Sequence, residues 1–292
     1  MFLDRYIDYM VFEKRFSTHT VEAYRFEVQQ FEDYLHQLSE DVTSVNYHQL
    51  RSYFATLLES GRQPSSVNRS LSALRSYYQF LWREDLVLAN PLVEIKALKQ
   101  PKKLPVTVEA GKVSTLLDAE GVFSADFSGL RDRLVLEFLF GTGVRLSELL
   151  AVQMGDLDFY KKQVLIHGKR KKERWIPLTD TLCDLIKQYA KLRAVTFDET
   201  AEALILTDKG QPAYSRLIYR IVHRYLSLLS KQHKRSPHVM RHTFATSMLA
   251  NGADLNAIKE LLGHANLAAT QVYTHNSAER LKNVYNQAHP RA

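Results

Sequence analysis

The sequence holds 292 residues, 45% hydrophobic and 24% charged, with 39 Lys and Arg against 32 Asp and Glu for a net charge of +7. That length leaves room for two ordinary domains. No apolar run is long enough to cross a bilayer, and the single cysteine, Cys183, excludes an internal disulfide and any cysteine-rich zinc site.

The first ten residues carry Asp4 and Asp8 and lack a secretory apolar core, so the expected location is the cytoplasm. Charge is uneven along the chain. Residues 1–100 carry 11 basic and 13 acidic side chains, which leaves 28 and 19 for residues 101–292. A basic second half suits a polyanionic partner, and equally a soluble protein that happens to be basic.

The first hundred residues predict helices. Leu3, Tyr6, Ile7 and Met10 follow the i, i+3, i+4, i+7 spacing of one helix face. Three more stripes follow: Val21, Tyr24, Val28, Phe31 and Leu35; Leu50, Tyr53, Phe54 and Leu57; Val67, Leu71, Leu74, Tyr78 and Leu81. Four stripes without strand-like alternation predict a small helical bundle over residues 1–98. The segment Lys99-Gln-Pro-Lys-Lys-Leu-Pro105 then breaks the pattern with two prolines and three lysines, and residues 99–106 are assigned as a linker.

Residues 107–292 predict a mixed domain. An apolar run, Leu134 to Phe140, leads into Gly141-Thr-Gly143, where two glycines let the backbone turn tightly before a second helix. Leu157-Asp-Phe159, Val164-Leu-Ile166 and Trp175-Ile176 look like short strands joined by charged turns, and Leu204-Ile-Leu206 like a further strand or a buried run. From Ser215 onward helical signals dominate. Ser236-Pro237 marks a helix start, and Gly252 and Gly263 mark stops.

Several residues there could carry chemistry. His238 and Arg241 sit three apart, on one face of a helix, offering a titratable imidazole and a planar fork of donors suited to phosphate. His264 follows the helix-ending Gly263, and Tyr273 comes nine residues later. A phenol is a weak nucleophile unless cations stabilise its developing charge. Upstream, Arg145 opens a helix, and Glu148 at i+3 either orients it or caps the helix. Between Gly168 and Pro177 lies a hairpin whose turn holds Lys169, Arg170, Lys171, Lys172 and Arg174. Taken singly, each feature also fits a solvated or structural residue.

In order, Arg145, Lys169, His238-x-x-Arg241, His264 and Tyr273 form one pattern. It is carried by Gly-Thr-Gly-Val-Arg145-Leu-Ser-Glu-Leu, Gly-Lys169 with Lys172-Glu-Arg174, His238-x-x-Arg241-His-Thr-Phe-Ala-Thr, Leu-Leu-Gly-His264 and Tyr273-Thr-His. On these motifs the chain resembles the tyrosine recombinase (phage integrase) family, and within it the Xer group. The basic turn Lys169-Arg-Lys-Lys departs from the glycine-containing turn usual there.

The resemblance implies a mainly α fold with a small antiparallel β-sheet in the catalytic domain. It implies a two-domain clamp on duplex DNA, with a SAM-like core-binding domain at 1–98 and a catalytic domain at 107–292. It also implies roles. Arg145 and Arg241 would clamp the non-bridging oxygens of a phosphodiester, and Tyr273 would attack phosphorus to give a 3′-phosphotyrosine. Lys169 would protonate the 5′-oxygen, His238 would serve as acid/base toward the phenol, and His264 would hydrogen-bond the phosphate. Such an intermediate conserves the bond energy, so no ATP, metal or other cofactor is expected. The sequence accordingly lacks a Gly-Lys-Ser/Thr phosphate loop.

Further DNA contacts are expected from Arg62, Arg69, Arg75, Lys171, Lys172 and Arg174. Expected partners are a tetramer on a dif-like site, a XerD-like recombinase and a FtsK-type translocase. In relatives the closing helix, near 278–287, docks on a neighbouring subunit. Other readings are a mobile-element integrase or invertase with the same chemistry, and a catalytically silent DNA-binding protein on the same fold.

Overall fold

The computed structural model describes residues 2–100, 107–168, 172–197, 201–229, 235–263 and 275–291. Two compact units emerge, Met1–Lys103 and Leu104–Ala292.

The first unit is built from α1 (Phe2–Asp8), which runs on into a π-helical turn at Tyr9–Glu13, then α2 (Thr18–Gln37), α3 (Tyr47–Glu59) and α4 (Pro64–Arg83). The apolar stripes become the buried faces of these helices and meet in one core, with Tyr24 packed at its edge. Local chemistry sets the ends. Ser17 caps α2, Asn46 and Gln49 form a capping box on α3, and Pro64 occupies the first turn of α4, where no N–H is needed. Two buried tyrosines bond through their hydroxyls: Tyr77 donates to Glu32 at 2.7 Å and Tyr78 to the Val42 carbonyl at 2.8 Å.

The second unit opens with α5 (Ala110–Asp118), α6 (Phe127–Thr142) and α7 (Leu146–Ala151). A three-stranded antiparallel sheet follows in the order β1 (Leu157–Asp158), β2 (Gln163–His167) and β3 (Glu173–Pro177). The rest is α8 (Asp180–Thr196), α9 (Ser215–Leu229), α10 (Pro237–Ala250), α11 (Leu255–Leu262) and α12 (His275–Ala288). The architecture is mainly α with a small antiparallel sheet, as the sequence led one to expect. α6 is its axis. Leu134, Val135, Leu136, Phe138, Leu139 and Phe140 are all buried, because α8, α9 and α10 pack around it.

Leu204, Ile205 and Leu206 form a buried run rather than a strand, paired only through isolated bridges such as Leu206 to Pro212. Only one of the two glycines after the apolar run makes the turn. Gly141 lies inside α6, and its carbonyl accepts hydrogen bonds from the Tyr285 hydroxyl at 2.8 Å and the His289 ring at 2.9 Å. Gly143 ends the helix at φ +61, where a Cβ would collide with Phe244 and Leu262.

α12 packs on its own chain. Leu281, Tyr285 and Ala288 join Phe244, Met248, Ile258 and Leu261 in a small core with α10 and α11.

Candidate active site

Three elements of the second unit converge on the C-terminal end of α11. α7 and its N-cap contribute Glu148 and Arg145, β3 contributes Arg174, and α10 contributes Arg241. Local sequence explains each placement. The left-handed Gly143 turns the chain so that Arg145 becomes the N-cap of α7, in extended conformation. Pro237 starts α10, so His238 and Arg241 fall in its first turn and a half, while Phe244 and Met248 anchor the helix below them.

Glu148 is the hub. Its side chain is 5% exposed and both carboxylate oxygens are occupied. Oε2 accepts from the Arg145 backbone N–H at 2.8 Å and Oε1 from the Arg145 guanidinium at 2.8 Å. Capping and orienting, posed above as alternatives, are thus one arrangement. Arg174 adds a fork-to-fork pair at 3.2 and 2.8 Å, and Arg241 approaches Oε2 at 3.9 Å. Burial works to raise the Glu148 pKa, but the bonds from Arg174 and Arg145 outweigh it and hold the group below its ordinary value.

The arginines also hold the end of α11. The carbonyl of Leu262 accepts from Arg241 at 2.6 Å and from Arg145 at 3.5 Å, and the carbonyl of Leu261 accepts from Arg174 at 2.7 Å. Arg241 further donates to the Gly143 carbonyl at 2.7 Å. These last-turn carbonyls have no partner within their helix and carry the negative end of its dipole, so cations suit them. Three guanidiniums around one carboxylate still leave two positive charges uncompensated among these four groups. Burial, followed by the charge of Arg145, pulls the Arg241 pKa down to about 10. Such a site is electrostatically complementary to a phosphodiester.

Of the six residues expected to do chemistry, the structure brings Arg145 and Arg241 together and leaves His238 exposed at the start of α10. Lys169, His264 and Tyr273 lie outside the described residues, as does Lys171. The flanking main chain is in view. Gly168 donates to the Lys172 carbonyl at 2.7 Å, closing the hairpin that carries Lys169, and Gly263 precedes His264 at φ +65.

Arg174, read from the sequence as a DNA contact, is turned inward. Its side chain is 8% exposed and its donors serve Glu148 and Leu261. The signal for this lay in strand alternation: Arg174 is in phase with the buried Ile176, while Glu173 and Trp175 face out. Lys172 is exposed. In the first unit, Arg62 bonds Glu27 and Gln30, Arg75 bonds the Ile95 carbonyl, and Arg69 bonds Glu27 at 3.0 and 2.9 Å while remaining 57% exposed. Glu27 itself is fully buried on α2. The sequence offered no sign of this second carboxylate hub.

Residues 108–280 match the phage integrase family, and residues 3–85 match the N-terminal SAM-like domain of phage integrases. The chain is 36% identical to tyrosine recombinase XerC of Listeria innocua, covering 99% of this chain and 97% of that protein. It is 33% identical to tyrosine recombinase XerD of Staphylococcus saprophyticus, covering 99% of each. Its fold is similar to that of the XerH site-specific recombinase bound to a palindromic difH substrate in a post-cleavage complex. That match has a TM-score of 0.74 and 22% identity, over 90% of this chain and 78% of the other.

Proposed function

This chain belongs to the phage integrase family and is a site-specific tyrosine recombinase; from that premise we propose that Arg145, Lys169, His238, Arg241, His264 and Tyr273 form its reaction centre. Arg145 and Arg241 clamp the two non-bridging oxygens of the scissile phosphate. Tyr273 attacks phosphorus and becomes a 3′-phosphotyrosine while the 5′-oxygen leaves. Lys169 gives that oxygen its proton, His238 takes the proton of the phenol, and His264 hydrogen-bonds the phosphate. Rejoining reverses the steps with a 5′-hydroxyl as nucleophile.

The observation that carries this reading is the meeting of Arg145 and Arg241 at one carbonyl oxygen, that of Leu262. Residues far apart in sequence present preorganised donors to one point, and losing one such donor costs about 10²–10³ in rate in acyl-transfer sites of similar logic. Because the phosphotyrosine keeps the energy of the broken ester, the reaction proceeds without ATP or a metal ion.

The likeness to XerC and XerD proteins supports a finer reading. The chain acts on duplex DNA at a dif-like site, resolves chromosome dimers in the cytoplasm, and assembles as a tetramer with a XerD-like partner under a FtsK-type translocase. Phosphate contacts come from exposed cations, Arg69 and Lys172 among them.

The test is a suicide-nicked duplex built on the segment that the protein protects from nuclease. Wild-type protein is expected to yield a covalent protein–DNA adduct on a denaturing gel, unchanged by EDTA. Tyr273→Phe is expected to yield none while binding the same duplex. Equal adduct from the variant would remove Tyr273 from its role.

A further inference from the structure

We propose that Arg174 is a positioning residue of the reaction centre, one that acts through Glu148 and the end of α11 and touches no DNA. This rests on the recombinase reading above.

Three observations carry it. The Arg174 guanidinium is buried and joins three separate segments: its own strand β3, the Glu148 carboxylate of α7 through two bonds, and the Leu261 carbonyl at the end of α11 through Nε at 2.7 Å. Each of those segments adjoins a residue of the proposed centre. β3 leads back through the hairpin to Lys169, Glu148 holds both the backbone and the side chain of Arg145, and α11 runs through Gly263 into His264. The neighbouring backbone leaves room for this group at Gly263, where a Cβ would sit 3.1 Å from its Nη1. The Gly-x-x-x-Lys-Glu-Arg spacing of the hairpin is thus tied to the placement of Arg145 by a planar fork. A lysine, as a single-point donor, cannot reproduce that fork.

An arginine that grips phosphate and one that positions others give different signatures. Losing a phosphate contact weakens DNA binding and lowers the salt dependence of affinity by about one ion. Losing a positioning contact leaves affinity in place and slows chemistry, since a displacement near 1 Å costs about 10²-fold.

The experiment compares wild type, Arg174→Met and Arg174→Lys on the nicked duplex, recording adduct rate, DNA affinity against salt, and melting temperature. The expected result is an adduct rate at least about 10²-fold lower in both variants under saturating DNA, with affinity and salt slope unchanged. Arg174→Lys guards against misfolding, because it keeps the charge and the aliphatic stem. A reduced salt slope would overturn the proposal in favour of direct DNA contact. A lower melting temperature with an undiminished rate for folded protein would overturn it in favour of a purely structural role. A wild-type protein that forms no adduct would instead sink the recombinase reading itself, and this proposal with it.

Discussion

Arg145 and Arg241 donate to the same oxygen, the main-chain carbonyl of Leu262, at 3.5 and 2.6 Å. Two like charges come together there because the Glu148 carboxylate of α7 lies near both guanidiniums and because the end of a helix supplies a partial negative charge. The repulsion that remains depresses the Arg241 pKa, after burial has done the larger share. A phosphate bound as proposed would relieve that repulsion.

Arg241→Lys is expected to slow adduct formation by about 10²–10³ with DNA affinity little altered. Arg241 spans two carbonyls, Gly143 and Leu262, with two nitrogens, and an ammonium cannot hold both while facing a phosphate. Adduct kinetics at saturating DNA check this; a lysine variant as fast as wild type would contradict it.

Glu148→Gln is expected to destabilise the protein by about 3–5 kcal/mol, the usual cost of removing one partner from a buried ion pair. Denaturant titration at neutral pH measures it. The pH dependence has a definite sign. Because the folded pKa lies below the ordinary 4.5, the stability is present above that pH and is lost as pH falls through the folded value. The gap between wild type and Glu148→Gln should therefore close on acidification.

His289 makes a second pH prediction. Its Nε2 faces the Gly141 carbonyl at 2.9 Å and so carries the proton, while Nδ1 accepts from the Arg291 backbone N–H at 3.0 Å. Burial is the larger cause; with the charge of Arg291 it outweighs the bond to Gly141, and the pKa falls from 6.5 to about 4. A depressed folded pKa means that stability is intact above 6.5 and erodes as pH drops toward 4, by roughly 3 kcal/mol in all. Unfolding midpoints measured across this window should slope downward in wild type and be flatter in His289→Gln. Parallel slopes would remove His289 from the effect.

Of the two arginines that bond Glu27, Arg69→Ala is expected to lower the salt slope of DNA binding by about one and Arg62→Ala to leave it unchanged. Arg69 stays 57% exposed, whereas Arg62 is 25% exposed and spends its donors on Glu27 and Gln30. Affinity measured at several salt concentrations decides between them.

What the sequence determined alone was whatever has a short period or a fixed local geometry. Helical stripes such as Val21–Leu35 declared their buried faces, Pro64 and Pro237 their helix starts, and Gly263 a helix stop, because backbone sterics and 3.6-residue periodicity act over a few residues. The spaced motif from Arg145 to Tyr273 was legible only as a resemblance to a known family, since local geometry links none of its distant members. Only the tertiary structure decided what Arg174 pairs with, that Gly141 belongs to a helix, and that Glu148 and Glu27 each gather arginines from distant segments. A guanidinium on a half-buried strand is equally at home in solvent or on a buried carboxylate. The choice depends on what packing brings opposite it, here the ends of α7 and α11.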